Sequence, residues 1–324
     1  MRYPVWALGL CALAASGTAL AQPYPNRPVT LMVPYAAGGT TDVLARIIGK
    51  SMGAQLGQTM IVENVSGAGG TTGTQRVIRS EPDGYTLTFG NLGSLAANAL
   101  LYPNIPFDPR KDLIPIGLVA TVPVVLSASK KSGVRDMAGM LAKLREKENG
   151  VNFGTAGAGS TTHLAASLFT TVTGTKATFV NYRGSGPAIA DLVAGVVDAG
   201  FDQTVTMIPM HTGGNVTAIA VSGPVRMSQM PEIPTFAEAG VPDFQLSVWN
   251  AIAAPPATPP AVVARLEAAL AAALDDPETK KRFTELASVA PVGDERGGAA
   301  LGKLFAAELD RLGGVVRAAG IKPD

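Results

Sequence analysis

Two glycine-rich turns that carry hydroxyl side chains are the parts of this sequence best suited to ligand chemistry. The first is Pro34–Asp42, with the sequence Pro-Tyr-Ala-Ala-Gly-Gly-Thr-Thr-Asp, and the second is Gly154–His163, Gly-Thr-Ala-Gly-Ala-Gly-Ser-Thr-Thr-His. Each follows an apolar run of strand length and precedes an apolar helix pattern. Free N–H groups at a helix start, together with the helix dipole, favour an anion. Two such turns predict two lobes that close on one anionic ligand.

The first turn offers both backbone and side-chain donors. Glycines let the backbone approach a carboxylate, and threonines add hydroxyl donors. The predicted contacts are Tyr35, Ala36, Gly38, Gly39, Thr40 and Thr41. Asp42 is expected to order the turn or to cap the helix, because a buried carboxylate beside an anionic ligand would cost several kcal/mol.

The second turn supplies candidate contacts of the same kind. They are Thr155, Ala156, Gly157, Ser160 and Thr161, and the helix that begins near Ser160 adds N–H groups. His163 lies one turn into that helix. It could hydrogen-bond a ligand or be a neutral structural group packed against the turn, and both interpretations stay open.

Loops after other predicted strands could face the same cleft. Asn91 and Ser94 follow one strand, and Tyr182, Arg183 and Gly184 follow another. Tyr182 could form a wall of the pocket. Arg183 is either a cation that meets the ligand carboxylate or a solvated surface charge.

Asp202 follows a strand of the predicted second lobe and has two open roles. It could accept a hydrogen bond from an ammonium group on an amino-acid ligand, or it could orient Tyr182 and Arg183. A salt bridge from Arg183 to Asp198 or Asp202 is the structural alternative for that arginine.

The elements that must position these residues alternate along the chain. Apolar runs of strand length lie at Val29–Val33, Met60–Glu63, Thr86–Phe89, Ile116–Ala120, Val122–Ser127, Val151–Gly154, Ala177–Val180, Ala199–Phe201 and Val216–Ser222. Residues at helical spacing lie between them, which predicts an α/β fold with largely parallel sheets. Further helices are predicted from 260 to about 274, from about 277 to 286 and from about 298 to 319.

The N-terminal segment 1–21 has the features of a secretory signal. It contains Arg2, the apolar run Val5–Leu13 and Ala19-Leu20-Ala21, which predicts export and cleavage after Ala21. Lipidation at Cys11 is the alternative, but Leu10 is too large for the residue before a lipidated cysteine. Cleavage would remove the only cysteine of the chain, and with it any disulfide or cysteine metal ligand.

Composition excludes several classes of partner. The formal charge is +1 and no lysine or arginine cluster stands out, which argues against nucleic acid, and no later segment is long and apolar enough for a membrane anchor. About 300 residues remain after cleavage, enough for two lobes or one large domain. We expect a monomer without cofactor or metal.

Motifs for catalysis are missing from the sequence. Ser160 is not followed by the glycine of a GxSxG turn, HExxH does not occur, and the chain has 2 histidines. Gly67–Gly73 prompts one rival function, a dinucleotide-binding oxidoreductase. Its glycine spacing does not fit GxGxxG, and Glu81 and Asp83 flank a proline in a turn. A carboxylate sensor that docks on a signalling partner is a further alternative with the same cleft.

Motifs along the whole mature chain resemble the periplasmic solute receptors of tripartite tricarboxylate transporters, the Bug family. The matching segments are Tyr24–Pro28, Val62–Asn64 with Gly67–Gly70, Pro82–Leu87, Phe107–Asp112, Gly159-Ser160 with His163-Leu164, Tyr182–Ala188, Pro234–Gly240, and Trp249 ahead of Pro255. The resemblance implies a two-lobed, periplasmic-binding-protein-like α/β fold that captures a small carboxylate between its lobes and delivers it to membrane subunits. It also implies that the protein is a binding protein and not an enzyme. Ala37 and Ala251 depart from the family's common proline and glycine.

The order of motifs predicts how the chain divides between the lobes. Residues 22–124 form the first part of lobe 1, residues 125–246 form lobe 2, and residues 247–324 return to lobe 1 with the C-terminal helices. Pro123 and the segment Phe244–Trp249 are the predicted crossings. Trp249 is expected to pack at the hinge, because large aromatic side chains usually bury their area.

Overall fold

The computed structural model describes residues 24–101, 105, 107–146 and 150–318. The predicted signal peptide, residues 1–21, lies outside the described residues. Within the described residues, each helix is too short or too polar to cross a membrane.

Strands and helices alternate through most of the described chain. The strands are β1 Val29–Val33, β2 Met60–Asn64, β3 Thr86–Asn91, β4 Ile114–Ser129, β5 Asn152–Thr155, β6 Thr178–Asn181, β7 Ala199–Gln203, β8 Val216–Val221 and β9 Ser247–Ala254. The helices are α1 Thr40–Leu56, α2 Thr71–Ile78, α3 Asn98–Leu101, α4 Met137–Glu146, α5 Thr161–Thr173, α6 Ser185–Ala194, α7 Thr204–Thr212, α8 Pro260–Asp275, α9 Pro277–Glu285 and α10 Gly297–Ala318.

The long strand β4 joins two sheet regions, which we call the first and second lobes. From Ile114 to Pro123 it pairs with β9, next to β3, β1 and β2 of the first lobe. From Val124 to Ala128 it pairs with β7, next to β5 and β6 of the second lobe, and it also pairs with β8. The change of partners falls at the predicted crossing, Pro123. The exact division of the lobes at residues 124 and 246 stays a prediction.

Three details of the predicted sheets were wrong. The runs Ile116–Ala120 and Val122–Ser127 belong to the single strand β4, and β9 was not predicted as a strand. The sheets are also less parallel than expected, because β4 and β9 connect the lobes and run antiparallel to their neighbours. Within each lobe the pairings of β1 with β2 and β3, and of β5 with β6 and β7, are parallel as predicted.

Local sequence explains why α1 begins and ends where it does. Gly39 is its N-cap with extended backbone, and Gly57 ends it in the left-handed conformation, where its N–H donates to the carbonyl of Gly53. Leu44, Ile48 and Met52 recur at four-residue spacing and are fully buried. This packing fixes the direction in which the N-terminus of α1 points.

Aromatic side chains form the core of the second lobe. Phe169 lies 6.3 Å from Phe153, 5.7 Å from Phe201, and 6.2 Å from both Phe236 and Phe244, measured between ring centroids. The segment around Phe236 and Phe244 is thereby tied to β7 and α5. Trp249 is buried and packs against Phe305 of α10, with the ring centroids 5.6 Å apart, so its area is buried as predicted.

Candidate functional site

In both lobes, the loops that follow the parallel strands lead to one region between the lobes. Loops that follow the carboxyl ends of parallel strands form binding crevices in α/β folds. Here the loops after β1 and β3 meet those after β5, β6 and β7. A cleft between the lobes follows from this strand arrangement.

A small cavity of about 290 Å³ lies in this cleft, and little of it is wide enough for a water molecule. It is lined by Tyr35, Ala36, Gly39, Thr40, Thr41, Asp42, Asn91, Ala156, Thr161, Ser185, Asp202 and Gln203. The lining includes the first residues of α1, α5 and α6, and the residue before α7. It contains no lysine, arginine or histidine. Four positive helix-dipole ends, rather than side-chain cations, therefore favour an anion here.

Asn91 holds the first-lobe side of the cavity together. Its amide nitrogen donates to the Thr41 hydroxyl at 3.2 Å, and its amide oxygen accepts from the Tyr35 hydroxyl at 3.1 Å and from the Gly93 N–H at 3.0 Å. The Tyr35 hydroxyl also lies 3.1 Å from the carbonyl oxygen of Gly69. Asn91 thus fixes the orientation of both Tyr35 and Thr41.

Asp42 orders the first turn. Its carboxylate accepts from the N–H of Gly38 at 3.1 Å, from Arg46 at 2.9 Å and from the Asn64 amide at 3.0 Å. Burial alone would raise the pKa of Asp42, but these hydrogen bonds and the Arg46 charge together lower the pKa below its usual value. Gly38 has φ +88°, a conformation that glycine adopts readily.

Hydroxyl groups order the second-lobe turn in the same way. Ser160 is the N-cap of α5, and its side chain accepts from the N–H of His163 at 3.3 Å. The N–H of Ala156 donates to the Thr162 hydroxyl at 2.6 Å, and the Thr155 hydroxyl donates to the Asn181 side chain at 2.7 Å. These bonds place Ala156 and Thr161 at the cavity.

Direct contacts hold the two lobes closed. The N–H of Ala36 donates to the carbonyl oxygen of Arg183 at 3.0 Å, and the hydroxyls of Thr40 and Thr206 lie 3.3 Å apart. A side-chain carbon on Gly186 would overlap the carbonyl oxygen of Ala37 in the opposite lobe. The lobes are therefore in close backbone contact at these two loops, and the cavity beside the loops must widen to hold a ligand of several heavy atoms.

Half of the predicted site residues line the cavity. These are Tyr35, Ala36, Gly39, Thr40, Thr41, Asn91, Ala156, Thr161 and Asp202. The predicted residues that do not line it are Gly38, Ser94, Thr155, Gly157, Ser160, His163, Tyr182, Arg183 and Gly184. Ligand contact by any of them stays a prediction.

Three predicted side chains that do not line the cavity have definite surroundings. His163 is buried with its ring edge-on to Phe179 at 5.3 Å. The Tyr182 hydroxyl donates to Asp191 at 2.6 Å. Arg183 is exposed and reaches the first lobe through its carbonyl oxygen.

Gln203 lines the cavity but was not predicted. It follows Asp202 at the end of β7, and its side-chain oxygen accepts from the Asn250 amide of β9 at 2.8 Å. Its position between a predicted strand and the start of a helix is the sequence feature that could have identified it as a lining residue. Among the described residues, no group of three or more His, Cys, Asp or Glu side chains lies close enough together to hold a metal ion.

Asn91→Ala is expected to lower the free energy of unfolding by about 1–3 kcal/mol, because buried partners lose their hydrogen bonds. Urea unfolding of the purified protein measures the change. Asn215→Ala, at an exposed position, is the control and should change the stability by less than about 0.5 kcal/mol. An equal, small effect of both variants would contradict the role assigned to Asn91.

Comparison with known proteins agrees with this architecture. The model of the tripartite tricarboxylate transporter family receptor matches residues 44–321. The structure is similar to that of the periplasmic binding protein BugD, with 33% identity, a TM-score of 0.89, and coverage of 93% of this chain and 100% of that chain.

Two similar structures hold carboxylates. MatC from Rhodopseudomonas palustris with bound malate has 36% identity and a TM-score of 0.87, covering 90% of this chain and 100% of that chain. Rpa4515 of R. palustris with adipate has 34% identity and a TM-score of 0.88, covering 93% and 100%. The two-lobed fold, the cleft and the match over most of its length show that this chain belongs to the tripartite tricarboxylate transporter receptor family.

Proposed function

We propose that the mature protein, residues 22–324, is a periplasmic receptor that binds a small carboxylate between its lobes and delivers it to the membrane subunits of a tripartite tricarboxylate transporter. The observation that carries this proposal is the interlobe cavity lined by the starts of helices from both lobes. Such a site suits an anion, and the proposed role is therefore binding rather than catalysis.

The donors around the cavity suit a carboxylate. Helix N–H groups and the hydroxyls of Thr40, Thr41 and Thr161 can hydrogen-bond its oxygens. The residues behind them, from Thr155 to Ser160 and from Tyr182 to Gly184, hold the loops in place. The ligands of similar proteins, malate and adipate, are small carboxylates and support this class of ligand.

The glycine-rich segment Gly67–Gly73 has an explanation that does not involve a dinucleotide. Gly69 has φ +58°, and a side-chain carbon there would overlap the carbonyl oxygen of Ala158 in the other lobe. A side-chain carbon on Gly157 would in turn lie 3.5 Å from the Gly69 nitrogen. Glycine is thus required for close approach of the lobes, which favours the receptor over the oxidoreductase.

The proposal includes the predicted processing and division of the chain. Signal cleavage after Ala21 would release a monomer with lobe boundaries at residues 124 and 246. The change of β4 partners between Pro123 and Val124 supports the first boundary. The return of the chain into β9 from Ser247 supports the second.

A thermal-shift screen of residues 22–324 tests the proposed function. The panel contains malate, adipate, citrate, acidic amino acids, benzoate, NAD and NADP. A ligand at a hundredfold excess over its Kd stabilises the native state by about 2.7 kcal/mol, which raises Tm by several degrees. We expect a shift with at least one carboxylate and none with the nucleotides. A shift with a nucleotide alone would favour the oxidoreductase.

Arg183→Ala is expected to weaken carboxylate binding by less than about threefold, because the side chain is exposed and the interlobe bond uses the backbone. Titration calorimetry with the carboxylate found in the screen measures the Kd. The exposed Arg135→Ala serves as the control. A loss of tenfold or more for Arg183→Ala alone would show that the guanidinium clamps the ligand.

A further inference from the structure

Asp202 places a buried carboxyl group in the wall of an anion-binding cavity. The side chain is 3% exposed and lies near the end of β7. The Thr206 hydroxyl donates to it at 2.8 Å, and the Ser185 hydroxyl and the Gln203 N–H also hydrogen-bond to it. Thr206 in turn lies 3.3 Å from the Thr40 hydroxyl of the opposite lobe. Asp202 is therefore linked through one hydroxyl to the contact that closes the cleft.

No cationic side chain neutralises this carboxyl group within the described residues. Asp42 on α1 is the other carboxyl group of the cavity lining, and its carboxylate accepts hydrogen bonds from Arg46. On the helices packed against β7, Asp191 of α6 accepts from Tyr182 and His211 of α7 contacts Glu232 at 2.9 Å.

The other charged or titratable side chains near β7 also have surroundings that do not include Asp202. His163 of α5 packs against Phe179, and Arg183 is exposed. The paired strand segments of β4 and β5 contain no titratable residue. Asp202 is thus stabilised by neutral hydrogen-bond donors alone.

Burial raises the pKa of Asp202 to about 6, because the hydrogen bonds from Thr206, Gln203 and Ser185 offset only part of the desolvation. A second carboxylate in the same small cavity disfavours the ionised form further, since two like charges in one buried site repel each other. The group is ionised at neutral pH in the free protein, but its protonated form is favoured beside a bound carboxylate.

We infer that Asp202 takes up one proton when a carboxylate ligand binds, so that its carboxyl group donates a hydrogen bond to the ligand instead of repelling it. The inference rests on the proposed function and narrows the ligand class. A ligand without an ammonium group requires this proton. An amino acid would pair its ammonium group with the ionised Asp202, without proton uptake.

The pH dependence of malate and adipate binding tests this inference. Above the pKa of the free group, each pH unit costs up to tenfold in affinity when binding takes up one proton. We expect the Kd to rise about tenfold from pH 7 to pH 8 and to change little below pH 6. Titration calorimetry in two buffers with different ionisation enthalpies also counts the proton directly, without any variant.

Asp202→Asn is the matched variant, because it keeps the shape of the side chain and cannot ionise. We expect it to bind malate or adipate with a Kd that is constant between pH 6 and pH 8. Proton-free, pH-independent binding to the unmodified protein would overturn the inference, as would an unchanged pH slope in Asp202→Asn. Binding of aspartate but of neither dicarboxylate would overturn it too, whereas binding of no carboxylate at all would overturn the proposed function itself.

Discussion

Gly186→Ala is expected to weaken carboxylate binding about a hundredfold, or about 2.7 kcal/mol, while leaving the ligand-free protein folded. Gly186 lies in the first turn of α6, where alanine is compatible with the helical backbone. Its added methyl group would overlap the Ala37 carbonyl oxygen of the opposite lobe only when the cleft is closed. The variant therefore penalises closure and not the fold of either lobe.

Calorimetric titration with malate or adipate measures the affinity, and a thermal melt of the ligand-free protein measures the fold. Gly302→Ala in α10 is the control, because its added carbon would meet Pro115 at an ordinary 3.7 Å. It should bind as the unmodified protein does. Full affinity in Gly186→Ala would contradict the claim that the ligand is bound by closure of these two loops.

Phe169→Ala is expected to lower the free energy of unfolding by about 3–5 kcal/mol, because it empties the centre of the second-lobe core. Phe169 is fully buried and contacts Phe153, Phe201, Phe236 and Phe244. Loss of its ring would also loosen the segment that leads back to the first lobe. Urea unfolding followed by circular dichroism measures the effect.

Val225→Ala is the control for this core prediction, since Val225 is 71% exposed. It should change the stability by less than about 0.5 kcal/mol. A Phe169→Ala effect of the same small size would show that the aromatic cluster is not the stabilising core of the second lobe.

Local patterns predicted the parts of the fold that depend on neighbouring residues. Strand β1, the glycine turn and the start of α1 follow from the apolar run, Gly38-Gly39 and the spacing of Leu44, Ile48 and Met52. Strand β9 was missed because its apolar run is buried on all sides and has no alternation that would indicate a strand. Its pairing with β4 is a contact between distant segments.

The residues that line the cavity could be predicted from the sequence to a similar extent. Helix starts can be recognised in a sequence. The threonines at two of them, Thr40, Thr41 and Thr161, line the cavity. The closeness of Gly69 to Ala158 and of Gly186 to Ala37 depends on how two lobes meet, which local sequence does not encode. The same holds for Gln203, whose place at the cavity depends on the pairing of β7 with β4.

The most direct test of carboxylate binding between the lobes is a crystal structure of residues 22–324 with the carboxylate that gives the largest thermal shift. We predict a ligand carboxylate within hydrogen-bond distance of Thr40 or Thr41 from one lobe and of Thr161 or Ser185 from the other. A ligand bound instead in the large groove between α10 and residues 236–247, with the interlobe cavity unchanged, would contradict this account.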